Sequence, residues 1–389
     1  MVAVSDLEGS GGAERLFSQL HTFLARHPDV ADVTLLTAAS SLERLRAAGL
    51  LPDATGVVSL RLGARPGRGR PAIAWMTLRL LWATLRRGFD VVHICLPSPI
   101  YVPYVAVLGW LPDSMRPKTA INVIDCTLAS SLELAPPEGT YERQVLEAHR
   151  MYFAWARLDG VYSWYRAFVD IAARQRALAV ETLVRAGQFC FAETARFHPA
   201  AVKEDVVVWA GRLSEQKRPL LFVDAVAALR RLEPQLIEGW RFELYGKGVL
   251  AGQVAERIRQ YGLNDVMSLS HAIDMAPIFA RSRLFVSTQA IENFTSLAML
   301  EAMAAGNAVI AENVGQTAEF VRHGENGALV PNAMPETFAR AIAGLIRHKS
   351  DHARMAAASR AVATDVHTVD HFAGDIRAFW QDLLTRRAA

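Results

Sequence analysis

The sequence predicts an α/β protein built from two Rossmann-like domains facing each other across a cleft. Three observations predict it. Short apolar runs alternate with longer helical patterns from end to end, the βαβ rhythm of a doubly wound parallel sheet. That rhythm restarts at Val206, after a polar stretch at 193–204 that contains a Pro and no periodicity. At 389 residues the chain is also long enough for two domains of about 150 residues or more each.

The elements follow in order. In the first half, strands are expected at Val2–Ser5, Asp32–Leu36, Phe89–Cys95, Ala120–Ile124 and Gly160–Ser163. Helices are expected at Ala13–Arg26, 72–87, 138–157 and Ala167–Ala179. The first helix carries Leu16, Phe17, Leu20, Phe23 and Leu24 on one face, the 3.6-residue spacing of a packed helix. In the second half, Val206–Ala210 is a near-continuous β-branched run, as a buried parallel strand requires. Further strands are expected at Arg241–Tyr245, Met267–Ser270, Leu284–Ser287 and Ala308–Ala311. Helices are expected at Pro219–Arg231, 250–261, 296–305 and 335–347, the first opening on a Pro that suits a first helical turn. The final helix, His371–Arg386, carries Phe372, Ile376, Phe379, Trp380 and Leu383 and needs a surface to dock on. The expected division is a first domain at 1–198, completed by a C-terminal helix at 371–387, and a second at 199–370.

Composition excludes several classes. Hydrophobic residues make up 51% and charged residues 21%, which rules out disorder, collagen and coiled coil as the main description. Three cysteines, Cys95, Cys126 and Cys190, cannot form a disulfide framework, and a reducing, cytoplasmic setting is expected. The N-terminus has no basic stretch followed by an apolar run, so no signal peptide is expected. No apolar stretch reaches about 18 uninterrupted residues, so no spanning helix is expected. The formal net charge of +3 names no nucleic-acid partner. The basic residues are lopsided, however: of 42 Lys and Arg only five are Lys, leaving 37 Arg.

One basic segment stands out, at 61–87. Trp75, Met76, Leu78, Leu81, Trp82 and Leu85 recur at helical spacing between Arg65, Arg68 and Arg70 on one side and Arg86 and Arg87 on the other. Two readings are open. Such a helix can lie on an anionic membrane surface, making the protein peripheral on the inner face. Equally, the stripe can be the core face of an ordinary packed helix with a solvated Arg face.

Three constellations carry chemistry. The first is Gly9-Ser10-Gly11-Gly12-Ala13-Glu14-Arg15, between the first strand and the first helix. Glycines let the backbone approach a phosphate, and a helix N-terminus offers free N–H groups; a plain tight turn is the alternative. The second is Gly211-Arg212-Leu213-Ser214-Glu215-Gln216-Lys217-Arg218-Pro219, after VVVWA. Arg supplies a planar fork and Lys a compact charge, which together suit a diphosphate. The third runs from Ala290 to Gly306 as AIENFTSLAMLEAMAAG. Thr295 or Ser296 can cap a helix there and Gly306 can end it. Backbone N–H groups from Phe294 to Leu297 would face an anion. Glu301, on an otherwise apolar helix, needs a partner; ribose hydroxyls or a buried Arg would serve.

These segments resemble family 4 of the glycosyltransferases, which have the two-domain GT-B fold. GRLSEQKRP, ENFTSLAMLEAMAAGNAVIA and GQTAEFVRHGENGALV carry the likeness most strongly, over residues 206–330, and GSGGAER, FDVVHI and RFHP extend it across nearly the whole chain. The resemblance implies a retaining, metal-independent transferase. It would move a sugar from a nucleotide-diphosphate donor to a carbohydrate or lipid-linked acceptor in bacterial glycan assembly, with no cofactor. It implies that Arg212 and Lys217 hold the donor diphosphate, that Glu301 holds the ribose, and that Gly11 and Gly12 approach the phosphate. Phe294, Thr295, Ser296 and Leu297 would supply amides. Lys247, after the strand ending at Tyr245, and His271, after MSLS, join the donor site as candidates.

Two departures from the family pattern matter. Glu292 and Glu301 are separated by eight residues rather than seven. Either the loop bulges and Glu292 reaches the sugar, or Asn293 stands there; Glu292 is the preferred assignment. The family often has a His after the strand at Ala120–Ile124, and here the sequence is NVIDCTL. Asp125 can fill that role, or the site lacks that contact; His93 is a candidate on the acceptor side, with a structural role the alternative. The departures leave two other readings open: a non-catalytic nucleotide-sugar-binding subunit, and a GT-B phosphorylase or epimerase.

Overall fold

The structure is a computed structural model. It describes residues 2–3, 12–29, 31–47, 51, 56–60, 70–95, 99–123, 147, 150–175, 178–179, 181–187, 190–289 and 296–386. The chain forms two compact units. The first comprises Met1–Phe189 with Val369–Ala389, and the second comprises Cys190–Thr368. The division at Phe189 falls ahead of the linker expected at 193–204.

The first unit holds a seven-stranded parallel sheet in the order β3-β2-β1-β4-β5-β6-β7. Its strands are β1 (Val2–Ala3), β2 (Leu35–Ala38), β3 (Val57–Leu60), β4 (Val91–Ile94), β5 (Lys118–Val123), β6 (Gly160–Ser163) and β7 (Leu183–Ala186). The register sets Val2 against Leu35 on one side and His93 on the other. Helices α1 (Gly12–Arg26), α2 (Ala39–Ala47), α3 (Arg70–Arg87), α4 (Val102–Trp110) and α5 (Arg166–Gln175) connect the strands, and 150–155 is helical too. α1 buries Leu16, Phe17, Leu20 and Leu24, the apolar face its spacing predicts.

The second unit holds a six-stranded parallel sheet in the order β10-β9-β8-β11-β12-β13. Its strands are β8 (Val206–Ala210), β9 (Arg241–Tyr245), β10 (Met267–Ser270), β11 (Leu284–Ser287), β12 (Ala308–Glu312) and β13 (Gly327–Val330). The helices are α6 (Pro219–Leu232), α7 (Ala251–Gln260), α8 (Ala276–Arg281), α9 (Leu297–Ala304), α10 (Pro335–Arg347) and α11 (His352–Ala361). α6 and α10 pack together on one face of the sheet, burying Phe222, Val226, Phe338 and Ile342. Each such side chain contributes about 1.5–3 kcal/mol by leaving water.

The last helix, α12 (Val369–Thr385), belongs to the first unit. Phe372, Ile376, Phe379, Trp380 and Leu383 are buried, the docked face its sequence required. Phe372 meets Phe17 of α1 at 6.4 Å between ring centroids. A Cβ at Gly160 would lie 2.7 Å from both Leu383 and Phe379, so β6 must open on glycine for α12 to seat.

Among the described elements, three strands and four helices fall outside the sequence expectations. β3 and β7 are four-residue strands, and β7 is only half buried, so neither shows a long apolar run. β13 emerges from the GENG turn and opens on Gly327, a residue that reads as part of the turn. The glycine has a steric cause: a Cβ there would lie 1.9 Å from the Val309 carbonyl oxygen. α2, α4 and α11 are weakly amphipathic, with α4 apolar on nearly every side, so they lack a clear stripe. α8 is only six residues long, too short to display the helical period.

α3 corrects the core-stripe reading of 61–87 over its described part. Its buried residues are Met76, Thr77, Leu80, Ala83 and Thr84. Trp75, Leu78, Trp82 and Leu85 face solvent instead. Among the described residues no helix is long and apolar enough to cross a membrane.

Candidate functional site

Strand order locates the candidate site in the second unit. From β8 the chain winds outward through β9 and β10, then crosses back to β11, β12 and β13. The order therefore reverses between β8 and β11. Ligands in open parallel sheets bind at the carboxyl ends of the strands flanking such a reversal.

The loop after β8 begins at Gly211 and closes in a short 3-10 turn, Glu215–Lys217. It is clasped by the loop after β9. Leu213 N–H donates to the Lys247 carbonyl at 2.9 Å, and Gly211 N–H donates to the Tyr245 carbonyl at 3.0 Å. A Cβ at Gly246 would lie 1.9 Å from the Gly211 oxygen, so only glycine permits this approach.

The turn then forces Arg218 to φ +46, the one non-glycine residue at positive φ among those described. Such a conformation costs about 1–2 kcal/mol. Strain of this kind persists where surrounding contacts impose it, and it is frequent at functional sites. Here Arg218 donates to Glu312 at the end of β12, at 2.9 Å.

Lys217 sits on the same turn and reaches across the reversal. Its Nζ donates to Gln289 Oε1 at 2.5 Å, just beyond β11. Thr288 supports the turn from below. Its hydroxyl lies 2.8 Å from the carbonyl oxygens of both Lys217 and Arg218, and it accepts from Trp209 Nε1 of β8 at 2.9 Å. Thr288, Gln289 and Trp209 are all buried. Sequence reading missed this support. Its only signal was two polar residues directly after the apolar strand LFVS.

Arg212, Lys247 and His271 are exposed, each just beyond a strand of this sheet. Their strands, β8, β9 and β10, are neighbours and parallel, so all three residues lie at the same carboxyl edge as Lys217.

α9 starts on the other side of the reversal. Ser296 caps it, its hydroxyl accepting from Met299 N–H at 3.3 Å. Gly306 ends it at φ +70. The first turn aims the positive end of the helix dipole toward the carboxyl edge of β11. Cations hold the opposite end. Lys203 Nζ donates to the carbonyls of Ala305 at 2.8 Å and Ser282 at 2.6 Å, and Arg360 donates to the Ala304 carbonyl. Burial lowers the Lys203 pKa to about 7, with Arg283 adding a smaller push in the same direction.

Glu301 lies on α9 and is only 4% exposed. Its neighbours Leu300, Ala302 and Met303 are fully buried. Burial pushes the Cys190 thiol pKa up, and the charge of Glu301 pushes it further the same way.

Glu292, Asn293, Phe294, Thr295, Asp125 and Gly11 lie outside the described residues, and with them the choice between Glu292 and Asn293. Gly12 opens α1 in the first unit. Leu297, half buried, is the first residue of α9.

His93 is corrected. It is wholly buried in β4, with Nε2 2.9 Å from Asn122 Oδ1 and Nδ1 accepting from Trp380 Nε1 at 3.0 Å. Burial lowers its pKa to about 3. A neutral imidazole engaged at both nitrogens and sealed from solvent cannot face an acceptor; it ties α12 to the sheet.

Comparison with known proteins places this geometry. Residues 204–348 match the family described as "Glycosyl transferases group 1". The group 1 segment lies inside the second unit and contains the whole β8–β11 reversal. Among curated proteins, the chain is 28% identical to a D-inositol 3-phosphate glycosyltransferase of Jonesia denitrificans, over 46% of this chain and 44% of that protein. It is 32% identical to a lipopolysaccharide core biosynthesis mannosyltransferase of Rhizobium leguminosarum, over 40% of this chain and 47% of that one. The chain thus spans less than half the length of these relatives. Among solved structures, Anabaena HepE in complex with UDP and glucose aligns over 98% of both chains, with a TM-score of 0.72 at 18% identity. Sucrose-phosphate synthase of Thermosynechococcus elongatus aligns over 98% of both, with a TM-score of 0.72 at 16% identity. The fold is that of the GT-B glycosyltransferases.

Proposed function

We propose that the protein is a retaining, metal-independent glycosyltransferase that moves a sugar from a nucleoside-diphosphate donor to an acceptor in bacterial glycan assembly. The observation that carries this reading is Lys217, an ammonium held at the β8–β11 reversal by Gln289. The match of residues 204–348 to the family described as "Glycosyl transferases group 1" supports it.

The reaction asks for positive charge at one place. The bond between the anomeric carbon and the diphosphate oxygen breaks, and negative charge collects on that oxygen. Lys217 and Arg212 offset the charge as it develops, when it lowers the barrier most. The amides opening α9 receive the phosphates. Glu301 accepts from the ribose hydroxyls. The family likeness alone assigns Glu292 or Asn293 to the donor sugar, Asp125 to the part of the family's His, and Gly11 and Gly12 to the approach to the phosphate. Lys247 and His271 flank the donor. The acceptor oxygen bonds to the anomeric carbon on the face the diphosphate leaves, and its proton departs with the leaving group.

A uridine diphosphate sugar is the first donor to test, since HepE is described in complex with UDP and UDP-glucose. The acceptor is a carbohydrate or a lipid-linked carbohydrate. A thermal-shift screen of nucleoside diphosphates and their sugars identifies the donor, because a bound ligand raises the melting temperature by mass action. Nuclear magnetic resonance of the product reads the anomeric configuration. An inverted product refutes retention, and loss of turnover in chelator refutes metal independence. Donor binding without transfer to any member of a broad acceptor panel would assign the chain to the non-catalytic reading.

A further inference from the structure

The exposed face of α3 has an unusual composition. Trp75 is 53% exposed, Leu78 60%, Trp82 57% and Leu85 45%. Their spacing of three and four residues lines them along one side of the helix. The opposite side, through Met76, Leu80 and Ala83, is already satisfied within the unit. Thr84 and Tyr104 fasten α3 to α4 by a hydrogen bond of 2.7 Å, so the outward face is held in place.

Large apolar side chains in a row on a solvent-facing surface mark a binding face. The charges on α3 identify its partner. Across its 18 residues the helix has Arg70, Arg79, Arg86 and Arg87 and no acidic residue. Arg79 stacks over Trp75 at 5.8 Å from the ring centroid, and Arg86 over Trp82 at 5.0 Å. Indoles favour the boundary between water and hydrocarbon, where the ring is apolar and the N–H stays wet. Guanidinium groups beside them suit phosphate oxygens. A second copy of the same face would set four positive charges against four, which disfavours self-association through α3.

We propose that the α3 face docks the protein on an anionic phospholipid bilayer, with Trp75, Leu78, Trp82 and Leu85 entering the interface and the arginines meeting the headgroups. The docking stands independently of the transferase reading, because it needs no donor and no acceptor.

Vesicle flotation of the protein tests it. The probes are phosphatidylcholine vesicles with and without phosphatidylglycerol. The protein should float with the anionic vesicles, with a blue shift of tryptophan emission, and salt should weaken the binding. Trp75→Ser/Trp82→Ser should weaken it by at least about tenfold, because two interfacial side chains are removed. Arg79→Gln/Arg86→Gln should weaken binding to anionic vesicles and reduce its salt dependence, each charge contributing about fivefold. All four positions are partly or well exposed, so circular dichroism and the melting temperature should be unchanged in both variants. No flotation with anionic vesicles overturns the proposal. So does equal flotation of the tryptophan variant and the parent. A dimer lost in the tryptophan variant, without vesicle binding in the parent, overturns it in favour of self-association.

Discussion

Each unit is a parallel sheet whose strand order reverses once, between β1 and β4 in the first and between β8 and β11 in the second. The polar residues beside the two reversals differ in kind. In the second unit, Thr288 and Gln289 brace a turn that carries the ammonium of Lys217. In the first, His93 and Asn122 are completely buried, and Asn122 Nδ2 donates to the Cys95 carbonyl at 3.1 Å. One constellation presents an ammonium at the edge of its sheet, and the other closes a seam under α12. A buried polar group must be paired wherever it sits; what separates the two is whether a charged atom remains at the edge of the network.

The sharpest way to break the contrast is at Lys217. Lys217→Ala should lower kcat by about 10²–10³, as removal of a positioned charge partner does, with the melting temperature little changed. Steady-state assay with a thermal melt checks this. A fully active variant would collapse the distinction between the two reversals.

His93→Ala should do the reverse. Two hydrogen bonds and a buried ring are lost, so stability should fall by about 2–4 kcal/mol while specific activity of the folded protein holds. The histidine also sets an acid limb. Its folded pKa, about 3, lies below the unfolded value of 6.5, so the unfolded chain binds the extra proton. Its stabilising contribution is complete above pH 6.5 and declines as pH falls from there toward 3. Denaturant melts between about pH 7 and pH 4 should show a shallower loss in His93→Phe than in the parent.

Glu301→Gln tests the ribose assignment more gently. Donor KM should rise about tenfold with a smaller change in kcat, because binding of the ground state is what the carboxylate supplies. A lowered kcat at unchanged KM would place Glu301 elsewhere in the reaction. The smallest effect is expected at the far end of α9. Lys203→Met removes two hydrogen bonds to carbonyls and should cost about 1–2 kcal/mol in stability, read as a lower melting temperature.

The second reversal was far more legible in the sequence than the first. Four of its six strands, β8 to β11, coincide with the expected ones at both ends, because buried parallel strands read as compact apolar runs. Arg212 and Lys217 stood out as a cationic pair in the loop after an apolar strand, and Glu301 because its charge interrupts an apolar helix. Thr288 and Gln289 did not, since short polar residues after a strand are common and their partners lie about seventy positions away. His93 kept an acceptor-side reading beside the structural one for a related reason. A histidine ending a strand shows its chemistry in the sequence but not the tryptophan 287 positions later that covers it. The α3 stripe misled in the opposite direction: apolar periodicity identifies a face but cannot tell whether protein lies against it.

The seating of α12 has a consequence for synthesis. The second unit is one continuous stretch, Cys190–Thr368, and emerges whole from the ribosome. The first unit emerges earlier yet lacks its final helix until residues 369–385 follow. Until then His93, Tyr162 and Gly160 await the side chains that cover them. The half of the chain made first is therefore the half completed last, and a nascent chain stalled before α12 would present an open apolar seam to chaperones.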